Sequence, residues 1–448
     1  VAEFKSRRPP RDRRKFVSEA VEATIVRMTG AIADPEMAWL FENCFPNTLD
    51  TTVRYGTTGG KPDTFVITGD IEAMWLRDSA AQVWPFLPLA RDDKNLRDLL
   101  AGVIRRQARC ILIDPYANAF NDGPGTSEWA KDLTHMKPEL HERKYEIDSL
   151  CYPVRLAHGY WKATGDASVF DDTWKRAMAL AVSTLREQQR MNGAGPYKFQ
   201  RVSAVPYDTV PLGGYGNPTR RCGLIHSAFR PSDDSCIYPF LVPSNMFAVV
   251  ALRALGEISS TELHDASFAR ECNVFSEELQ EAVDTYAVAH HPKYGLLYAY
   301  EVDGFGNAIF MDDANVPSLL SLPYLGWCAP ENERYRATRA FLLSEDNPYF
   351  FKGVAGEGIG GPHVGVDWVW PMGIIIRALT SIDEEEILRC LRMLKASHGG
   401  SGFMHESFHK DDPARFTRGW FAWANTLFGE LILRLHAERP EILSRPLT

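Results

Sequence analysis

The chain has 448 residues, 45% hydrophobic and 24% charged, with 58 acids against 49 lysines and arginines and a net charge of −9. That is ample material for a large core, and no basic stripe interleaved with aromatics offers a footprint for nucleic acid. No apolar run reaches the roughly eighteen residues of a membrane-spanning helix, so no membrane partner is expected either.

The one basic run, from Arg7 to Lys15, reads as a solvated lead-in (about 1–15) to a single domain covering 1–448. Helix is expected over 16–44, interrupted at Asp34-Pro35, where Phe16, Ala20, Ile25, Met28 and Ile32 lie near helical period. Asn47 to Asp63, rich in Thr and Gly, reads as an extended hairpin. The stretch from Gly69 to Pro85 follows, with three acids, Arg77, Trp75 and Trp84, and its helix should end at Pro85 or Pro88. Further helices are expected over 94–113, 148–163, 166–189, 240–256, 267–289, 316–325, 331–343, 367–380, 383–396 and 416–436. Between them lie a polar, aromatic loop (114–145), a Gly- and Pro-rich excursion (191–231) and short strands (291–313).

Polar clusters recur at 69–79, 145–153, 229–235, 311–317, 361–371 and 402–408, mostly just ahead of a helix, with a blander helix between visits. Six such visits match six helical hairpins closed into a ring around one pocket, as in an all-α toroid decorated with long loops and short hairpins. The eight cysteines show no metal-ligand spacing and read as buried thiols with at most one disulfide.

The clusters carry the chemistry. Carboxylate and guanidinium bind hydroxyls through charge-assisted hydrogen bonds, and indole offers a face to stack on, so Trp75, Arg77 and Asp78 suit a polyhydroxylated ligand. Trp84 is assigned to the core. Phe229-Arg230-Pro231-Ser232-Asp233-Asp234-Ser235 places two acids side by side at an expected helix start, where only one would face a pocket. An N-cap explains such an aspartate equally well. Desolvation would instead raise one carboxyl and make it a general acid. Glu406, between aromatics in the glycine-rich Gly402–Phe408 loop, suits a general base. Met311-Asp312-Asp313-Ala314-Asn315-Val316-Pro317 fits sugar hydroxyls or capping, and the glycines 356–361 shape a loop presenting His363, Asp367, Trp368 and Trp370.

Two motifs mislead. His405-Glu406-Ser407-Phe408-His409 is a literal H-E-x-x-H, with Glu430 available as a third zinc ligand, but such a site needs a helix and this run is opened by glycines. Gly356 to Gly361 fits G-x-G-x-x-G without any β-α-β context. No P-loop or nucleophile elbow is present. Many carboxylates with eleven Trp and sixteen Tyr suit two-acid carbohydrate chemistry without metal or cofactor.

In their order and wording, the opening motif and the Arg-Pro-Ser-Asp-Asp, Asp-Asp-Ala-Asn-Val-Pro and Met-His-Glu-Ser-Phe stretches closely resemble glycoside hydrolase family 125, from about Phe41 to Leu431. The resemblance implies an (α/α)6 toroid and a metal-independent, inverting exo-α-1,6-mannosidase acting on terminal mannose of mannosides or N-glycan-type mannans. Carried over by motif, Asp233 is the acid, with Asp234 in reserve, and Glu406 the base. Arg77 and Asp78 grip the terminal mannose; Trp75, Asp148, Arg230, Asp234, Asp313, Asn315 and His363 complete the substrate set. A monomer without cofactor is expected. The compartment stays open between secretion, with a leader removed, and the cytoplasm. A zinc metallopeptidase through His405 and His409, and a non-catalytic mannose-binding module, are the competing readings.

Overall fold

The computed structural model describes residues 4–447. Its helices, in chain order, are α1 Glu19–Ala31, α2 Pro35–Cys44, α3 Asn47–Thr51, α4 Leu76–Val83, α5 Lys94–Ile113, α6 Ile147–Thr164, α7 Asp172–Glu187, α8 Val242–Thr261, α9 Ala266–Tyr286, α10 Glu333–Leu342, α11 Pro371–Leu379, α12 Glu384–Ser397 and α13 Ala422–Glu438. They pack as an inner and an outer ring. Within the inner ring α13 touches α4, α4 touches α6, α6 touches α8, and α11 touches α13. Residues 311–326 fill the place between α8 and α11. There the Tyr152 hydroxyl of α6 donates to the Val316 carbonyl (3.0 Å), the Tyr335 hydroxyl of α10 to the Leu320 carbonyl (2.8 Å), and the Tyr324 hydroxyl to Glu430 of α13 (2.8 Å). Outside run α5, α7, α9, α10, α12 and the α1–α2 pair. Six helical hairpins thus close on themselves as an (α/α)6 toroid.

Capping chemistry separates the two rings. Among the outer helices, Asp34, Asp93, Asp171, Asp265, Asn332 and Asp383 each accept a hydrogen bond from a backbone N–H of the first turn, which holds the helix start and complements its dipole. The inner helices α4, α6, α8, α11 and α13 begin at Trp75, Glu146, Leu241, Trp370 and Phe421, and none has a side-chain cap. Three of these five residues line the pocket described below. Every residue of α4 is buried, Arg77 and Asp78 included, as expected of a helix enclosed on all sides.

Several expectations need correcting. The helix expected at 316–325 is a series of turns: Pro317 and Pro323 remove two amide donors, and Asp312 instead accepts from the amides of Leu319 and Leu320 (2.9 Å each). The hairpin expected from Asn47 begins only after α3, pairing Val53–Thr58 with Lys61–Val66. Helix α7 starts at Asp172 rather than 166, because Asp171 provides the cap. The Phe229–Ser235 cluster is a tight turn, with α8 beginning only at Val242. Residues 407–417 form a β-hairpin that also pairs with Trp368–Val369. Most of the basic run from Arg7 to Lys15 is exposed as expected, but the lead-in is also tied down: Arg8 is bonded to Asp50 (2.8 Å) and Glu22, and the Trp39 indole donates to the Lys5 carbonyl (2.6 Å). Trp84 is half-buried, with the Arg155 guanidinium 3.8 Å above its ring. All eight cysteines are free thiols, two of them only half-buried.

Candidate active site

The inner helices open at one end onto a pocket of about 440 Å³ lined by residues from all six polar clusters save 145–153. It brings together Trp75, Arg77 and Asp78 from the start of α4, Asp233, Asn315, His363 and Glu406. Trp370, Phe421 and Trp423 add an aromatic wall. Of the lining residues, Thr68 Oγ1, Trp75 Nε1, Ser232 Oγ and Trp370 Nε1 are buried polar atoms without a protein partner.

Arg77 is the electrostatic centre. One of its terminal nitrogens donates to Glu146 (2.5 Å) and Asp148 (3.1 Å), while Asp233 lies 3.5 Å and Asp78 3.6 Å from the guanidinium. Four carboxyls around one buried cation cannot all ionise cheaply. Burial drives Glu146 well above the usual carboxylate range, and Asp233 and Asp148 add repulsion against the pull of Arg77. Burial also raises Asp148 despite its bond to Arg77, and brings Asp78 up to about 6. Asp233 goes the other way. Burial opposes its ionisation, but Arg77, Lys144 and a hydrogen bond shared with Glu146 outweigh that and hold it below its ordinary value.

The turn at Asp233 explains how adjacent acids diverge. Asp233 adopts φ +69°, and the turn is closed by hydrogen bonds from the Arg230 amide to the Asp234 carbonyl (2.7 Å) and from the Asp233 amide to the Arg230 carbonyl (2.9 Å). Aspartate tolerates the left-handed region better than bulkier residues. The Lys144 ammonium locks the turn from outside by donating to the Asp233 carbonyl and to Asp208 (2.8 Å each). Asp233 therefore meets the pocket, while Asp234 lies buried behind it, 2.9 Å from His363 Nδ1. Burial lowers the imidazole, but its bond and charge partner Asp234, helped by Asp233 and Glu406, push it up to about 9. His363 is thus a cation at neutral pH.

Glu406 lines the same pocket with its own arginine. Arg418 Nη1 is 3.4 Å from Glu406 Oε1, and the same guanidinium is bonded to Asp70 (3.0 Å from Nε). The loop carrying Glu406 is tied down on both sides. Phe421 N donates to the Met404 carbonyl (2.9 Å), and Met404 N to Asn425 Oδ1 (2.8 Å). His405 stacks flat on Phe416 with ring centroids 3.8 Å apart.

The remaining expected residues stand back from the pocket. Asp148 acts through Arg77. Asp313 is buried, orders Asn315 (2.9 Å to its side-chain amide) and leaves Oδ2 unpartnered. Arg230 is turned away: its Nε donates to Glu301 (2.6 Å), which also accepts the amides of Ile237 and Tyr238. It shapes the turn. Glu146, Lys144, Arg418 and Phe421 were not singled out from the sequence. Arg418 and Phe421 precede an inner helix just as the other clusters do, but placing a helix start at 416 concealed them.

The H-E-x-x-H run is not a helix. His409 lies in the strand opposite Trp368, His405 Nε2 meets the His398 carbonyl (3.0 Å), and Glu430 is engaged by Tyr324 and Arg434. Among the described residues no group of three or more His, Cys, Asp or Glu is placed to hold a metal, and no helix is long and apolar enough to cross a membrane.

A family model described as metal-independent alpha-mannosidase (GH125) matches residues 34–433. The chain belongs to glycoside hydrolase family 125. It is a glycoside hydrolase of the metal-independent α-mannosidase type. A solved Streptococcus pneumoniae structure, from work on metal-independent alpha mannosidases and N-linked glycan processing, holds α-1,6-mannobiose in a non-productive complex. It is 42% identical, covers 95% of this chain and 100% of that one, and superposes with a TM-score of 0.91. The meiotically up-regulated gene 157 protein of Schizosaccharomyces pombe is 43% identical over 98% of this chain and 90% of its own length. A bacterial glucoamylase complexed with acarbose is 12% identical, covers 95% of this chain and 58% of its own, and has a TM-score of 0.54. That last likeness concerns the fold alone.

Proposed function

We propose that this family 125 enzyme is an exo-α-1,6-mannosidase that removes terminal mannose by single displacement, with Asp233 as general acid and Glu406 as general base. The observation that carries the assignment is that two carboxylates line one pocket, each held by a separate arginine, Asp233 by Arg77 and Glu406 by Arg418. Inversion requires the two carboxyls to stand roughly 6.5–9.5 Å apart, with a water on Glu406. The α-1,6 linkage is supported by the bound mannobiose of the Streptococcus pneumoniae relative.

In this mechanism Glu406 takes a proton from water as its oxygen attacks the anomeric carbon. Asp233 gives a proton to the glycosidic oxygen as its bond to that carbon breaks, so mannose leaves with inverted configuration. Asp78, Asn315 and His363 bind sugar hydroxyls, and Trp75, Trp370 and Trp423 wall the ring. The buried unpartnered donors of Trp75 and Trp370 suit a polyhydroxylated ligand. We read the chain as one catalytic domain acting as a monomer, without nucleic-acid partners. Glu406→Gln should lower kcat by about 10²–10⁴-fold with KM little changed. Turnover of α-1,6-mannobiose at the wild-type rate by that variant would overturn the assignment, as would its loss from the wild type in the presence of a chelator.

A further inference from the structure

Two stretches from opposite ends of the chain meet beside the pocket. Thr68 and Ile71 line it from the first, and Arg418 and Phe421 from the second. Gly69 has φ +126°, and a Cβ there would lie 2.9 Å from the Trp420 ring, so a glycine is what lets the first stretch seat against the second. Asp70 follows it. Its side chain is 52% exposed and does not line the pocket. Both of its carboxylate oxygens are nevertheless bonded to Arg418, whose Nε donates to Oδ2 (3.0 Å) and whose Nη2 donates to Oδ1.

The remaining nitrogen of that guanidinium serves Glu406. Arg418 Nη1 donates to Glu406 Oε1 over 3.4 Å. The hairpin at 407–417 explains the meeting: Ser407 pairs with Thr417, and their hydroxyls are 2.6 Å apart, so Glu406 and Arg418 are the next residues on its two arms. The Nε–Nη2 edge of an arginine is a fork that matches a carboxylate with two parallel hydrogen bonds. Asp70 occupies that fork. Glu406 is left with one long bond to Oε1, and among the described residues no donor is bonded to its Oε2. A general base needs such an oxygen to hold and deprotonate the attacking water.

We propose that Asp70 is a positioning residue for the general base: by holding the forked edge of Arg418 it confines that arginine to a single contact with Glu406 and keeps Glu406 Oε2 open to water. This rests on Glu406 being the base. Without Asp70 the fork is free to close on Glu406, engaging both oxygens and leaving the arginine charge uncompensated. A carboxylate gripped in that way stays ionised to lower pH and accepts a proton less readily. Glu72, two residues further on, cannot stand in, because it is ion-paired with Arg54. The other charged groups lining the pocket with Glu406 and Arg418 are Arg77, Asp78, Asp233 and His363, and a substitution at Asp70 leaves all four in place.

The test is the pH dependence of kcat and kcat/KM on α-1,6-mannobiose for Asp70→Asn. Asp70 is half-exposed, so it can be replaced without opening the core. Near neutral pH kcat should fall about 10-fold or more, and the acidic limb, which reports the base, should move to lower pH by about half a unit or more. Asp70→Glu keeps the charge and should leave the limb where the wild type has it. A loss of kcat with an unmoved limb would show a merely structural role and overturn the proposal. Wild-type kcat in Asp70→Asn, or a limb displaced equally in both variants, would overturn it too. Glu406→Gln separates this from the underlying assignment: if that variant keeps wild-type turnover, Glu406 is not the base, whatever Asp70 does.

Discussion

Replacing Arg77 by methionine removes the single cation that Glu146, Asp148, Asp78 and Asp233 share, while roughly preserving the volume of its stem. Two direct bonds, at 2.5 and 3.1 Å, and two contacts near 3.5 Å are lost at once. Breaking a buried ion pair from one side costs about 3–5 kcal/mol, since the acids left behind are uncompensated. They can escape that cost only by taking up protons. Asp78 already has its folded value raised to about 6 by burial, so the folded state binds more protons than the unfolded chain between about pH 4 and that value. Stability contributed by such a group falls as pH rises through this window. Without Arg77 the folded values climb further, so the penalty should be small near pH 4 and complete near neutrality. At about 2.1 cal/mol/K of unfolding entropy per residue, a chain of this length loses roughly 1 °C of Tm per kcal/mol. Differential scanning calorimetry should therefore show a drop of about 3–5 °C near pH 7, shrinking towards pH 4. A drop below about 1 °C, or one that is the same at both pH values, would refute the electrostatic account of this cluster.

Two further outcomes probe the loop of the base and the His363 pair. Gly402 has φ +80°, and a Cβ there would lie 2.7 Å from the Trp39 ring; Gly402→Ala should cost about 1–3 kcal/mol and lower kcat by displacing Glu406, and wild-type melting and turnover would show that the loop does not depend on this glycine. The His363–Asp234 pair, at 2.9 Å with the imidazole raised to about 9, contributes stability that is complete below the unfolded histidine value of about 6.5 and lost as pH rises through about 9; thermal melts of wild type and His363→Asn should converge at alkaline pH, and a constant gap would contradict the pairing.

How much of this was legible in the sequence depended on which ring a helix belongs to. Outer helices carry local signals, an Asp or Asn cap followed by an amphipathic face, and α5 falls where its periodicity and Asp93 predict, Lys94–Ile113. Inner helices lack side-chain caps, three of them starting at a pocket-lining aromatic residue, Trp75, Trp370 or Phe421, and their near-continuous burial erases periodicity. That is why the start of α13 was placed too early and Arg418 and Phe421 were overlooked. Segment 316–325 reads as helix from the sequence, although its two prolines, Pro317 and Pro323, argue otherwise. Among the catalytic candidates, Asp233 and Glu406 were recognisable as motifs, and the structure gathers Trp75, Arg77, Asp78, Asn315 and His363 with them in one pocket. Glu146 could not be picked out, since its place in the site comes from its bond to Arg77, 69 positions away in the chain. Arg230 lies in a motif like the others, yet its guanidinium is committed to Glu301.

The most direct measurement follows the anomer released from α-1,6-mannobiose by ¹H NMR in the first minutes of hydrolysis, before mutarotation. Single displacement with Asp233 as acid and Glu406 as base predicts β-mannose from the non-reducing end first, relaxing later to the equilibrium mixture. Initial release of α-mannose from that end would mean retention, and would contradict the roles given to both carboxylates.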